Sequence, residues 1–169
     1  MKRLNDLIIK RARQLARYSE TTDPFRIAED VGIEIHFEDL GQLKGMYAFI
    51  KRNRFIVIND RLCESMKRIV CAHELGHDQF HRDLAKNKWL HEFMIYNMNQ
   101  RTEYEANIFA SEILLPDNDV LELADEDHNI EQIAGALYSH VNLVALKLNT
   151  LSQQGYHFRN FESRDDFLK

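Results

Sequence analysis

Residues 73–77 read HELGH, inside the longer run RIVCAHELGHDQFH. Two histidines four residues apart project from the same face of a helix, one turn from each other. His73 and His77 can therefore direct two ring nitrogens at a single ion, at the distances of about 2.0–2.1 Å that zinc prefers. The run predicts a helix over about residues 64–82 that carries half of a metal site on one face.

Glu74 gives this half-site a catalytic interpretation. It follows the first histidine directly, where its carboxylate can take a proton from a water molecule activated by the metal instead of binding the metal itself. HExxH on a helix is the pattern of zinc metallopeptidases. Because short patterns also occur by chance on amphipathic helices, the interpretation needs a third ligand, since catalytic zinc usually has three from the protein.

A third histidine on the same helix does not supply this ligand. In the HExxHxxGxxH pattern it would stand at position 83, which is Asp83, so that pattern is excluded. His81 continues the four-residue spacing, but it lies about 12 Å along the helix axis from His73 at 1.5 Å per residue. We expect His81 to be an outer partner of the site or an interfacial residue.

The remaining source is a carboxylate on a second helix, within RTEYEANIFASEILLP, which ends before its proline. Ala106 and Ala110 are small enough to let two helices pack closely. Glu105 shares a helical face with Phe109, and it is the leading candidate for the third ligand. Glu103 is the alternative.

The pattern along the chain favours an α+β fold: a helix over about 4–18, a short helix capped by Asp23, a few strands, and then helices. The expected sheet is small and antiparallel and packs on the HExxH helix. A hairpin over 45–59 could expose a strand edge, at Tyr47, to an extended substrate. The stretch from about 82 to 100 reads as a loop or broken helix.

We expect a core over residues 1–116 and a helical extension over residues 117–169, packed on the core as one unit. The net charge of −5 disfavours direct DNA binding, and residues 117–169 hold ten acidic residues against four Lys or Arg. No apolar run of about 18 residues predicts a membrane span, and the N-terminus lacks a secretory signal pattern. These features predict a cytoplasmic protein without a membrane partner.

Four stretches together resemble the ImmA/IrrE-type metallopeptidases of bacteria and their mobile elements: DPFRIAEDVGIEI, LKGMYAFIKRNRFIVIN, CAHELGHDQFH and EYEANIFASEILLP. The resemblance covers most of residues 20–155, and the last stretch is its most specific part. It implies a zincin-like fold with one Zn²⁺ per chain, bound by His73, His77 and Glu105, and with Glu74 as the catalytic base.

The resemblance also implies a narrow role, the cleavage of a partner helix-turn-helix repressor that silences phage or mobile-element genes. One alternative is a metal-stabilised anti-repressor that binds its repressor without cutting it. A DNA-binding regulator is a third possibility, which the charge disfavours. Manganese or iron could replace zinc at a His₂Glu site. Tyr96, Tyr104 and His140 are candidates for stabilising the oxyanion.

Overall fold

In the computed structural model of this chain, residues 2–85, 89–92 and 101–158 are described. The chain forms two compact units, Met1–Leu114 and Leu115–Lys169. The expected packing of residues 117–169 on the core stays a prediction. Within the described residues, no helix is both long enough and apolar enough to cross a membrane.

The first unit combines helices with one sheet, so the predicted α+β class is confirmed. Its described elements are α1 Lys2–Tyr18, α2 Pro24–Asp30, β1 Glu34–Glu38, β2 Gly45–Ile50, β3 Asn53–Asn59, α3 Glu64–Phe80, β4 Trp89–Glu92 and α4 Arg101–Leu114.

Local signals in the sequence account for two of these elements. The Asp23 side chain caps α2 by accepting a hydrogen bond from the backbone N–H of Phe25, and Pro24 occupies the first turn. Between β2 and β3, Lys51 and Arg52 both adopt positive φ, 50° and 69°. Two successive left-handed residues give the tight reversal of a two-residue hairpin, as the polar KRNR stretch predicts.

The sheet is mixed, which corrects the expectation of a purely antiparallel one. Its strand order is β1-β3-β2-β4. β2 pairs antiparallel with both β3 and β4, whereas β1 pairs parallel with β3. The reason is that β1 lies beside the second strand of the hairpin. A hairpin reverses direction once, so its second strand returns in the direction of β1.

The hairpin does not offer an open edge, so that part of the prediction is wrong. Among the described strands, β2 and β3 are internal, and β1 and β4 lie at the two edges. Tyr47 pairs with Ile56 of β3 on one side and with Leu90 of β4 on the other, and it is fully buried. An extended peptide therefore cannot pair with Tyr47 unless β4 moves.

The strand β4 also corrects the interpretation of residues 82–100 as a loop or broken helix. Residues 89–92 pair with β2, with Gly45 opposite Glu92 and Ala48 opposite Trp89. The segments 86–88 and 93–100 lie outside the described residues. An isolated four-residue strand carries too little periodicity to be recognised from sequence.

Helix α3 is the central element of the first unit, and ten consecutive residues of it, from Ile69 to Asp78, are buried. Two glycines allow its close contacts. A Cβ at Gly45 of β2 would lie 2.4 Å from Cγ1 of Val70, and a Cβ at Gly76 would lie 3.0 Å from Cα of Ala106 in α4. The missing side chain at Gly76 thus admits the backbone of α4.

The second unit is helical and contains α5 Asp117–Asp125, α6 Ile130–Ala136 and α7 Val141–Gln153. Asn129 and Gln132 form a reciprocal capping box at the start of α6. The Lys147 ammonium group, buried in α7, lies 2.5 Å from a carboxylate oxygen of Asp117 at the start of α5. This ion pair joins the first and last helices of the unit.

Candidate metal centre

Helices α3 and α4 bring two imidazoles and one carboxylate to a common point. Nε2 of His73 lies 3.1 Å from Nε2 of His77. Glu103 approaches both rings, with Oε2 3.2 Å from Nε2 of His73 and Oε1 3.5 Å from Nε2 of His77. The histidines are buried and Glu103 is half-buried. We call these three residues the ligand cluster.

The other ring nitrogen of each histidine makes a hydrogen bond away from this point. Nδ1 of His73 lies 3.0 Å from Oδ1 of Asn107, and Nδ1 of His77 lies 3.0 Å from Nδ1 of His81. An amide oxygen only accepts, so the contact with Asn107 favours the tautomer that carries its proton on Nδ1 and turns the lone pair of Nε2 towards the cluster. This tautomer is the one a metal ligand requires.

The spacing and the charge state of the cluster both fit a metal ion. Four-coordinate zinc with bonds of about 2.0–2.1 Å places neighbouring ligand atoms about 3.3–3.4 Å apart, close to the separations of 3.1–3.5 Å in the ligand cluster. Burial lowers the pKa of His77 to about 4, against the opposing effect of the nearby Glu103 carboxylate. His77 is therefore neutral at pH 7, and its lone pair is available for binding.

Glu105, the residue favoured by the sequence analysis as third ligand, lies elsewhere. Its Oε2 is 3.0 Å from Nε2 of His81, and its Oε1 accepts a hydrogen bond of 2.7 Å from Nε of Arg101. Burial raises the pKa of Glu105, but the hydrogen bonds from His81 and Arg101 outweigh it, so the pKa lies below its ordinary value. The structure brings Glu103, the alternative, to the two Nε2 atoms.

The sequence contained a signal for Glu103. Ala106 and Ala110 mark the face of α4 that approaches α3, and Glu103 stands three and seven residues before them, on the same stripe. Asn107, one turn after Glu103, contacts the same histidine, His73. The small residues therefore identify the ligand-bearing face better than the stripe shared by Glu105 and Phe109.

Glu74 is fully buried next to His73 on α3. Its Oε1 lies 3.3 Å from the position that a Cβ at Gly45 would occupy. The glycine thus lets the β2 backbone pass directly beside the Glu74 carboxylate. A side chain at position 45 would collide with Val70 and crowd the glutamate.

The three oxyanion candidates differ in where they lie. Tyr104 is on α4, half-buried, directly after Glu103. His140 is in the second unit, where its Nδ1 accepts a hydrogen bond from the backbone N–H of Asn142 and caps α7. Tyr96 lies outside the described residues. A structural role as a helix cap accounts for His140.

Comparison with known proteins adds independent information. Residues 28–149 match the model of the Peptidase_M78 family, described as the IrrE N-terminal-like domain. The chain is 33% identical over 129 residues to an immunity region protein 2, described as uncharacterized, of Bacillus phage phi105, a match covering 76% of this chain and 80% of that protein.

A second relative is the metallopeptidase ImmA of Bacillus subtilis strain 168, which is 32% identical over 103 residues. That match covers 57% of this chain and 56% of ImmA, so it spans just over half the length of the relative. The segment that matches the family model contains α3 and α4, and with them every residue of the ligand cluster.

Proposed function

The chain belongs to the IrrE N-terminal-like family of peptidases, and we propose that it is a zinc-dependent endopeptidase whose metal is bound by His73, His77 and Glu103, with Glu74 as the catalytic base. The family makes it a metallopeptidase. The identity of the ion, the three ligands and the role of Glu74 are the proposal.

The observation that carries the proposal is the convergence of two imidazole Nε2 atoms and one carboxylate, mutually separated by 3.1–3.5 Å. Lone pairs and a negative charge directed at one point repel each other, and a cation between them removes that repulsion. Two histidines with one carboxylate are also a common donor set of catalytic zinc. The ligand cluster is thus chemically suited to the ion that the family name implies.

Bound there, zinc would polarise the scissile carbonyl and lower the pKa of a coordinated water towards about 7. Glu74 then accepts the proton of the attacking water at a carboxylate oxygen and passes it to the leaving amine. The complete burial of its side chain in this position keeps the carboxylate fixed beside His73. The β2 backbone at Gly45 passes beside this carboxylate.

We further propose that the substrate is a regulator of phage or mobile-element genes, specifically a helix-turn-helix repressor. One relative is named for a phage immunity region and another is named a metallopeptidase. A protease that acts in an immunity region has a repressor as its most direct target, because cutting the repressor releases the genes it silences.

The Glu74→Gln variant tests this function. We expect it to retain the metal content of the wild type, since Glu74 is not a ligand, and to lose cleavage of the repressor by about 100- to 10,000-fold. The measurement is electrophoresis of each repressor encoded near this chain after incubation with zinc-loaded protein. Repressor release from operator DNA is followed in parallel.

Two outcomes separate the proposal from sequestration without cleavage. Intact repressor together with full release from DNA by Glu74→Gln would show that binding alone relieves repression. If release of the repressor from DNA requires Glu74 and coincides with new repressor fragments, the proposed peptidase function is supported.

A further inference from the structure

Three side chains extend outward from His77 in a continuous series of hydrogen bonds. Nδ1 of His77 lies 3.0 Å from Nδ1 of His81, and Nε2 of His81 lies 3.0 Å from Oε2 of Glu105. Arg101 closes the series by donating from Nε to Oε1 of Glu105 at 2.7 Å. We call His81, Glu105 and Arg101 the outer triad. His81 and Glu105 are buried.

With one proton on each imidazole, the chemistry of these groups determines the direction of every hydrogen bond in the series. A guanidinium only donates and an ionised carboxylate only accepts, so His81 must donate from Nε2 to Glu105. His81 then carries a lone pair on Nδ1, and the donor for that contact is Nδ1–H of His77. The proton of His77 is thereby held on Nδ1, which leaves its Nε2 lone pair directed at the ligand cluster.

We propose that the outer triad positions His77 for metal binding, by fixing its tautomer and its ring orientation from the side opposite the ion. This inference rests on the proposed metal centre. Outer hydrogen-bond partners of a ligating histidine also raise its basicity, and altering them typically costs about 10- to 100-fold in metal affinity. The triad thereby gives a function to two residues, His81 and Glu105, that bind no metal in our proposal.

The two ligating histidines are supported differently. His73 is held through the neutral amide of Asn107, whereas His77 is held through a second imidazole that ends at a charged carboxylate. The spacing of residues 73, 77 and 81 produces this arrangement, because each ring lies one helical turn from the next. A third histidine that is too far along the axis to bind the ion is well placed to bind its neighbour.

The first test replaces Glu105 by glutamine, which keeps the size of the side chain and removes its charge. We expect the zinc dissociation constant, measured by competition with a chromophoric chelator, to rise by about 10- to 100-fold. Glu112→Gln is the matched control, because Glu112 is also a buried carboxylate of α4 paired with an arginine, Arg13. The control should keep the wild-type affinity even if it unfolds more easily.

The second test separates positioning from packing at His81. In asparagine, Oδ1 is separated from Cα by the same number of bonds as Nδ1 in histidine, and it accepts hydrogen bonds. His81→Asn should therefore lose less zinc affinity than His81→Leu, which fills the space without an acceptor and should lose at least about 10-fold. Equal affinities in the two variants would contradict the proposal.

Nitrogen-15 spectra of the imidazoles in the metal-free protein read the tautomer directly. We expect the proton of His77 on Nδ1 and that of His81 on Nε2, and we expect His81→Leu to give a mixture of tautomers at His77. A proton on Nε2 of His77 in the wild type would overturn the proposal without any measurement of zinc.

The outcomes also distinguish this inference from the proposed function. A wild type that takes up no zinc refutes the metal centre. A wild type that binds zinc, with Glu105→Gln unchanged relative to Glu112→Gln, refutes only the outer triad. Complete loss of the zinc stoichiometry in Glu105→Gln would instead identify Glu105 as a ligand and overturn its positioning role.

Discussion

Helix α3 carries two buried polar clusters that differ in how their charges are satisfied. One is the ligand cluster, which α3 shares with Glu103 of α4. The other surrounds the carboxylate of Asp78 and contacts β2 and β3, and we call it the Asp78 cluster. Its members are Tyr47, Arg54, Asp78, Gln79 and Arg82. The histidine and the aspartate at the centres of the two clusters are adjacent in sequence, yet their surroundings are opposite.

In the Asp78 cluster, donors converge on one acceptor. Asp78 receives hydrogen bonds from the hydroxyl of Tyr47 at 2.8 Å and from Gln79 at 2.6 Å, and both Arg54 and Arg82 reach its second oxygen, at 3.3 and 2.9 Å. Every contact pairs a donor with the carboxylate, so nothing further is needed to stabilise the group. Such a cluster joins α3 to the sheet.

In the ligand cluster, acceptors converge instead. The two Nε2 atoms and the Glu103 carboxylate face one another, and both Nδ1 atoms make their hydrogen bonds away from the common point. Burial alone therefore does not distinguish a structural polar cluster from a binding site. The balance of donors and acceptors does, and it predicts opposite responses to substitution in the two clusters.

The largest effect is expected for Glu103→Ala, which removes a proposed ligand. Zinc affinity should fall by at least about 1,000-fold, well beyond the 10- to 100-fold cost of altering a partner of a ligand. The free energy of unfolding of the metal-free protein should stay unchanged or rise, because the substitution relieves repulsion between acceptors. Elemental analysis and denaturant unfolding measure the two quantities, with Glu105→Ala as the comparison. Loss of zinc in Glu105→Ala but not in Glu103→Ala would reverse the assignment.

Asp78→Ala should show the opposite pattern. Removing the acceptor leaves a buried hydroxyl and two guanidinium groups without their shared partner, which should lower the free energy of unfolding by about 3 kcal/mol. Zinc affinity of the folded protein should remain within about threefold of the wild type, because the hydrogen-bond partners given above for Asp78 are not proposed ligands. Asp78→Asn, which keeps one acceptor oxygen, should be destabilised less. A large loss of zinc affinity with unchanged stability would remove the distinction between the clusters.

Gly76→Ala is expected to affect both stability and binding, because it acts on the contact that joins α3 to α4. The added methyl group would lie 3.0 Å from Cα of Ala106 and 3.2 Å from its carbonyl oxygen, so the helices must separate. We expect a loss of about 1–3 kcal/mol in the free energy of unfolding and weaker zinc binding. The control is Gly135→Ala in α6, where a methyl group meets nothing within 4 Å. That change should be neutral or slightly stabilising.

Much of the fold followed from local signals in the sequence. The cap at Asp23, the polar turn at Lys51 and Arg52 and the proline after α4 each act within a few residues, so a single sequence reveals them. The parallel pairing of β1 with β3 and the addition of β4 beside β2 depend on which strands meet across the chain. No local pattern encodes that choice, and the proposed open edge at Tyr47 failed for this reason.

Some residues of the metal centre also follow from local sequence patterns, whereas others depend on how distant elements pack. His73, His77 and Glu74 lie within one helical turn, so their spacing alone brings them to one site. The choice between Glu103 and Glu105 depends on the rotation of α4 against α3, which is set by the contact between Gly76 and Ala106. Both carboxylates approach α3. Because Glu103 and Glu105 are two residues apart, their side chains leave the helix axis in directions about 200° apart, so they meet different histidines.

The smallest effect is expected for Tyr47→Phe, which removes one hydrogen bond from the Asp78 cluster. The loss should be about 0.5–1.5 kcal/mol in the free energy of unfolding, with zinc affinity unchanged. In the Asp78→Ala background the same substitution should cost little, because the partner is already gone; a double-mutant cycle measures this coupling. A full cost in that background would mean that Tyr47 acts through packing alone.

Alkaline unfolding gives a second test of the hydrogen bond between Tyr47 and Asp78. Burial and the hydrogen bond to Asp78 raise the pKa of Tyr47 above its ordinary value near 10. Above about pH 10, the folded state therefore holds a proton that the unfolded chain releases, so stability falls as the pH rises. Tyr47→Phe should remove part of this slope, whereas Tyr18→Phe, at a position that is 70% exposed, should not. Equal slopes in the two variants would show that the Tyr47 hydroxyl is not held in the folded state as the Asp78 cluster requires.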